Sequence, residues 1–170
     1  MEVRIKKLNE NAQIPVKAHP SDAGFDIVAT SRYFDKYGNV VYGTGLAFEI
    51  PEGHVGLLFA RSSISKHDLS LANAVGVVDS HYRGEVIFKF KATLAYTEED
   101  FGDEIGVDSD SFWDIEVPGS RNCLVEHLIY EVGDKIGQLI IMPYPEITLV
   151  ESEELSDTDR GENGFGSTGN

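Results

Sequence analysis

Asn73–Phe90 reads N-A-V-G-V-V-D-S-H-Y-R-G-E-V-I-F-K-F. Val75–Val78 is a short apolar run, Asp79-Ser80-His81-Tyr82-Arg83-Gly84 is polar and turn-forming, and Val86–Phe90 is largely apolar again. Two β-branched runs about a Gly-containing connection predict a β-hairpin. Asp79 falls where the first run enters the turn, so the strand ladder holds its carboxylate while the turn leaves it open to a ligand. Taken alone, the stretch favours the plainer reading, in which Asp79 only shapes the turn. The rest of the chain reverses that preference.

Working outward, short apolar runs recur with turn signals every ten residues or so. Glu2–Leu8 alternates loosely and predicts a first strand, and Asn9–Pro20 is polar, with two prolines, and predicts a loop. Asp26 enters an apolar run within Ser21–Val28. Val40–Ile50 predicts one strand closed by Pro51-Glu52-Gly53, and His54–Ala60 another, followed at once by Arg61-Ser62-Ser63-Ile64-Ser65. Further strands are expected over Leu124–Tyr130, Ile136–Tyr144 and Ile147–Glu151, with a turn at Glu131–Lys135. Only Ser62–Leu71 invites a short helix. This spacing predicts an all-β sandwich or barrel.

A chain of 170 residues, 41% apolar, is expected to form one domain with a real core. No run approaches the length of a membrane span, and the N-terminus has no apolar signal core, so no membrane association and a cytoplasmic location are expected. The single cysteine, Cys123, excludes an intrachain disulfide and reads as a small buried residue. Fourteen basic against 29 acidic residues give a net charge of −15. Such a surface repels duplex nucleic acid, so an anionic ligand must be gathered locally by a few arginines, backbone N–H groups or a metal ion.

Thr97–Glu116 carries nine acidic residues and no Lys or Arg, yet also Phe101, Phe112 and Trp113. A disordered acidic tract has few aromatics. The stretch reads as a surface excursion with its own small apolar face, within an insert at 93–128. The spacing of its acidic residues is not that of a calcium loop. The five histidines are scattered without metal-site spacing. The last eleven residues, R-G-E-N-G-F-G-S-T-G-N, contain G-x-G-x-x-G but lack the flanking strand and helix of a dinucleotide fingerprint. They still carry a guanidinium, a stackable ring and hydroxyls suited to a nucleotide. The expected organisation is one β domain over 1–159, containing the excursion, and a flexible Gly-rich arm over 160–170.

Five segments in order complete the picture: D-A-G-F-D-I from Asp22, A-R-S-S from Ala60, G-V-V-D-S-H-Y-R-G from Gly76, G-D-K-I-G-Q-L from Gly133, and R-G-E-N-G-F-G-S-T-G from Arg160. Together they resemble the motifs of the trimeric deoxyuridine triphosphatase (dUTPase) family over nearly the whole chain except Thr93–Leu128. The resemblance implies an all-β, jelly-roll-like subunit, assembled as a homotrimer whose sites are shared between chains. It implies cleavage of dUTP to dUMP and pyrophosphate with Mg2+, which keeps uracil out of DNA and supplies dUMP for dTMP synthesis.

Carried over residue by residue, Asp79 matches the carboxylate that activates water. Tyr82 matches the ring packed on deoxyribose. Asn73, Val77 and Ile87 match the uracil-reading positions, with Val78 beside them. Ser62, Gln138, Arg160 and Ser167 match phosphate ligands, and Arg61 and Ser63 belong to the same phosphate segment. Asp26 matches the carboxylate that holds magnesium through water, and Phe165, followed by Gly166, matches the aromatic that closes over the base. Two departures are small: Ser63 stands where glycine is common and Gly137 where alanine is common. The long insert resembles that of some bacteriophage members and suggests a surface for a protein partner. Rival readings are a dCTP deaminase-related enzyme, which needs a glutamate where Val78-Asp79 stands, and a regulatory protein-binding role through the insert.

Overall fold

The computed structural model describes residues 1–92 and 129–162. These form ten strands: β1 (Arg4–Lys7), β2 (Phe25–Val28), β3 (Ser31–Phe34), β4 (Asn39–Gly43), β5 (Leu46–Glu49), β6 (His54–Ala60), β7 (Leu69–Leu71), β8 (Gly76–Val78), β9 (Ile87–Ala92) and β10 (Lys135–Pro143). One sheet has the order β2-β10-β6-β8, a second the order β3-β4-β9-β7, and β1 pairs with β5 alone. Every strand pair is antiparallel. Two four-stranded antiparallel sheets around a shared core are the jelly-roll-like arrangement expected for the chain. Ile27, Leu58, Val78 and Leu139 fill that core from the first sheet, and Val40, Tyr42, Phe88 and Phe90 from the second. The Tyr42 hydroxyl, buried with them, donates to the Tyr130 carbonyl at 2.8 Å. Burial pushes its pKa up.

Four local expectations change. Asn73–Phe90 is not a hairpin: β8 pairs with β6, whereas β9 pairs with β4 and β7 in the other sheet. The cause is long-range. Gly76 lies against Leu58, while the Val86 N–H donates to the Leu46 carbonyl and the Val86 carbonyl accepts from Thr44 Oγ1, drawing the second run toward the opposite sheet. Val40–Ile50 is broken at Thr44-Gly45, where Gly45 adopts φ +64°, so it supplies two strands, β4 and β5. Ser62–Leu71 is a five-residue 3-10 helix, Ser62–Lys66, followed by β7. Ile147–Glu151 pairs with no strand among the described residues and leaves Leu149 93% exposed. The insert at 93–128 lies outside the described residues.

Gly137 has a specific reason to differ from alanine. A Cβ there would fall on the Phe88 ring and 3.0 Å from the Phe59 carbonyl oxygen. Phe88 is 1% exposed and stacks on Phe90 with centroids 6.2 Å apart, so its ring has no room to retreat. Overpacking of this kind costs about 1–3 kcal/mol, and Gly137→Ala is expected to lower the melting temperature by about 2–10 °C at fixed protein concentration. Adding Phe88→Leu should recover part of that loss. A Gly137→Ala protein that melts with the wild type would show that the ring moves freely.

Candidate active site

The most polar point of the first sheet is Asp26, on β2 and 5% exposed. Its Oδ1 accepts from Arg61 Nε at 2.9 Å and from Gln138 Nε2 at 3.3 Å. Its Oδ2 lies 2.9 Å from Lys135 Nζ. Burial alone would raise the carboxyl's pKa, but the bonds from Lys135, Gln138 and Arg61, with the Arg61 charge, outweigh it and hold the group below its ordinary value. The ladder makes this cluster. Gln138 is the cross-strand partner of Asp26 on one side and of Phe59 on the other. Arg61 follows directly on β6 and precedes the 3-10 helix.

Lys135 is the residue that sequence reasoning missed. Residues three apart on a regular strand face opposite ways, but β10 shifts register between Lys135 and Gly137. That irregularity lets Lys135 and Gln138 reach one carboxylate. The only signal in the sequence was a lysine inside G-D-K-I-G-Q-L.

Because Arg61 spends Nε on Asp26, its two terminal nitrogens are left to present a fork to an oxyanion. Three of the roughly four lone-pair directions of the Asp26 carboxylate are taken. Asp26 therefore has room for one more donor, such as a metal-bound water, which suits magnesium's habit of keeping its waters. Among the described residues no group of three or more His, Cys, Asp or Glu side chains could hold a metal ion by itself. Ser62 is exposed at the start of the 3-10 helix. Ser63 turns inward instead, with its hydroxyl 3.1 Å from that of Tyr130.

A second group of residues surrounds the gap between β8 and β9. Because those strands part, a pocket of about 270 Å³ opens between them, lined by Leu58, Leu71, Asn73, Gly76, Ile87 and Phe88 among others. Asn73 and Ile87 are thus brought together, with Asn73 set in a tight turn where Ala74 takes φ +57°. Val77 is 63% exposed on β8, whereas Val78 is buried. Asp79 is the first residue past β8 and is exposed, and its carbonyl accepts from the Tyr82 N–H at 3.1 Å. Tyr82 is 46% exposed on the same turn. Arg160 is exposed in the described part of the tail. Phe165, Gly166 and Ser167 lie outside the described residues.

Asp26 and Asp79 are not adjacent in one chain. Three inter-strand steps and about four residues along the strands separate Asp26 from Asp79, which is about 20 Å between Cα atoms by strand geometry.

Fold and geometry together define a jelly-roll protein with a buried carboxylate corner at Asp26, ringed by Arg61, Lys135 and Gln138, and a pocket between its two sheets. The family model described as dUTPase matches residues 10–101 and 122–169, leaving 102–121 of the insert outside the match. The chain belongs to the dUTPase family. It is 34% identical over 171 residues to the deoxyuridine 5'-triphosphate nucleotidohydrolase of Rhodococcus erythropolis, an alignment covering 99% of this chain and 87% of that protein. The Staphylococcus bacteriophage 80alpha dUTPase solved with dUPNHPP is similar at a TM-score of 0.72 and 28% identity, covering 99% of this chain and 98% of that one. A mutant dUTPase from phage phi11 of S. aureus, solved with a structural Mg(II) ion, is similar at a TM-score of 0.66 and 27% identity, covering 92% and 100%.

Proposed function

We propose that this chain hydrolyses dUTP to dUMP and pyrophosphate with Mg2+, keeping uracil out of DNA and supplying dUMP for dTMP synthesis. The observation that carries the reading is the coexistence of an Asp26-anchored oxyanion corner and a pocket lined by Asn73 and Ile87. Asn73, with the backbone of Val77 and Ile87, reads uracil. A fixed donor–acceptor pattern rejects cytosine because a mismatch leaves buried polar groups unpaired. Tyr82 packs on the deoxyribose and leaves no room for a 2'-hydroxyl. The forked end of Arg61 binds phosphate oxygens with Ser62, Gln138, Arg160 and Ser167, and Phe165 closes over the base. The Asp79 carboxylate takes a proton from the water that attacks the α-phosphorus. As that P–O bond forms, the bond from the α-phosphorus to the α,β-bridging oxygen breaks, and pyrophosphate leaves with the electron pair. Asp26 would hold magnesium through a water, and the ion would supply charge neutralisation on the triphosphate.

The working unit is a homotrimer. Its support is the outer face of the first sheet, where Val55, Leu57, Phe59 and Ile140 lie side by side and partly exposed, with Val77 63% and Met142 45% exposed beside them. A contiguous apolar face of this kind marks an interface. The tail beyond β10 adds Ile147 at 69%, Val150 at 82% and Leu155 at 89% exposure, apolar surface that a neighbouring chain would cover. The separation of Asp26 from Asp79 supports sites completed by a second chain. Among the described residues no helix is long and apolar enough to cross a membrane. The enzyme acts in the cytoplasm, a reducing setting that suits its single cysteine.

The direct test is product analysis. Release of dUMP and pyrophosphate from dUTP, with no uracil nucleotide from dCTP, is the expected result. Deamination of dCTP, or binding without turnover, would overturn the reading. A variant lacking Thr97–Val117 is expected to remain a folded, active trimer, because surface insertions are thermodynamically cheap. Sizing and turnover measure this, and loss of either would make the insert structural. Its Phe112 and Trp113 would then serve contact with a protein partner.

A further inference from the structure

We propose that Glu85 is a positioning residue for Tyr82 and thereby sets the selection of deoxyribose over ribose, an inference that rests on the site reading above. The ring of Tyr82 is folded back on its own turn. A Cβ on Gly84 would meet its Cζ at 2.6 Å and its Cε2 at 3.0 Å. The Tyr82 hydroxyl donates to the Glu85 carbonyl at 2.9 Å. The ring is 46% exposed yet fixed at its edge and its tip, so its orientation follows wherever residues 84–85 are placed.

Those residues are placed from a distant part of the chain. Glu85 Oε1 accepts from the Gly45 N–H at 2.7 Å, in the corner between β4 and β5. The corner has a slot for that carboxylate: a Cβ on Gly43 would lie 2.9 Å from Glu85 Oε1. Val86 is fastened to the same corner, its N–H donating to Leu46 at 2.8 Å and its carbonyl accepting from Thr44 Oγ1 at 2.6 Å. Thr44 is fully buried, so this anchor is shielded from water. A carboxylate accepting a backbone N–H is a charge-assisted bond and the strongest link in this set. Steric rejection of a 2'-hydroxyl works only if the rejecting ring cannot yield. Glu85 supplies that stiffness without touching the substrate.

The test compares kcat/KM on dUTP and on UTP for wild type, Glu85→Ala, Glu85→Gln and Tyr82→Phe, with melting temperatures alongside. Glu85→Ala is expected to lower the dUTP/UTP ratio about tenfold, the scale of a modest steric discrimination. Glu85→Gln keeps an oxygen that accepts the Gly45 N–H and should restore the ratio to within about twofold of wild type. Tyr82→Phe keeps the ring and every Glu85 side-chain contact but loses the hydroxyl tether, and should lower the ratio several-fold. A folded Glu85→Ala enzyme with the wild-type ratio overturns the proposal, as does Glu85→Gln falling as far as Ala. If Glu85→Ala does not fold, an unchanged ratio in Tyr82→Phe overturns it instead. Wild-type protein that fails to cleave dUTP removes the underlying reading. Wild-type cleavage with unchanged ratios in the variants removes only this inference.

Discussion

Asp79→Asn is expected to bind a non-hydrolysable dUTP analogue nearly as tightly as the wild type and to turn dUTP over about 100 to 10,000 times more slowly, the usual cost of losing a general base. The turn that presents Asp79 is closed by its backbone carbonyl, which accepts from Tyr82, and the side chain takes no part in that bond. The carboxylate accepts no hydrogen bond among the described residues, so the amide disturbs no local contact there. Isosteric replacement therefore separates chemistry from folding: the analogue's dissociation constant reports the pocket, and the single-turnover rate reports the proton transfer. Near-normal turnover would mean that another group activates the water. Weakened binding in step with turnover would mean that the charge holds the substrate rather than the nucleophile.

Mixing two inactive variants tests the shared site. Asp79→Asn lacks the base, and a chain truncated after Asp159 lacks the arm from Arg160 onward. Unfolded together at equal amounts and refolded, they should regain activity in roughly a quarter of the sites, by counting ordered chain pairs around a closed threefold ring. The regained sites draw Asp79 from the truncated chain and the arm from the Asp79→Asn chain. The structure motivates this experiment in two ways. Asp26 and Asp79 stand about 20 Å apart within one subunit by strand geometry, too far to serve one α-phosphate. Beyond Pro143, Ile147, Leu149, Val150 and Leu155 are 69%, 93%, 82% and 89% exposed, so no surface among the described residues buries them. Background activity from mixed trimers verified by native mass would show that each arm closes over its own chain. The residue assignments would survive that outcome.

The sequence by itself determined the family, because the five motifs are local strings whose order and spacing do not depend on how the strands pair. It also located the strands whose apolar pattern is self-contained: His54–Ala60 became β6 residue for residue, and Ile136–Tyr144 became β10 to within a residue at either end. The tertiary structure decided everything that depends on a partner far along the chain. It sent the two halves of Asn73–Phe90 to different sheets, because Leu58 and the Thr44–Leu46 corner compete for them more strongly than they pair with each other. It split Val40–Ile50 at that same corner, turned Ser63 inward onto Tyr130, and used a register shift in β10 to add Lys135 to the Asp26 cluster. Local composition sets the propensity for a strand, but sheet neighbours, facing and register follow from long-range hydrogen bonds and packing. Those partners lie dozens of residues away, as with Glu85 and Gly45, and no window of sequence contains both.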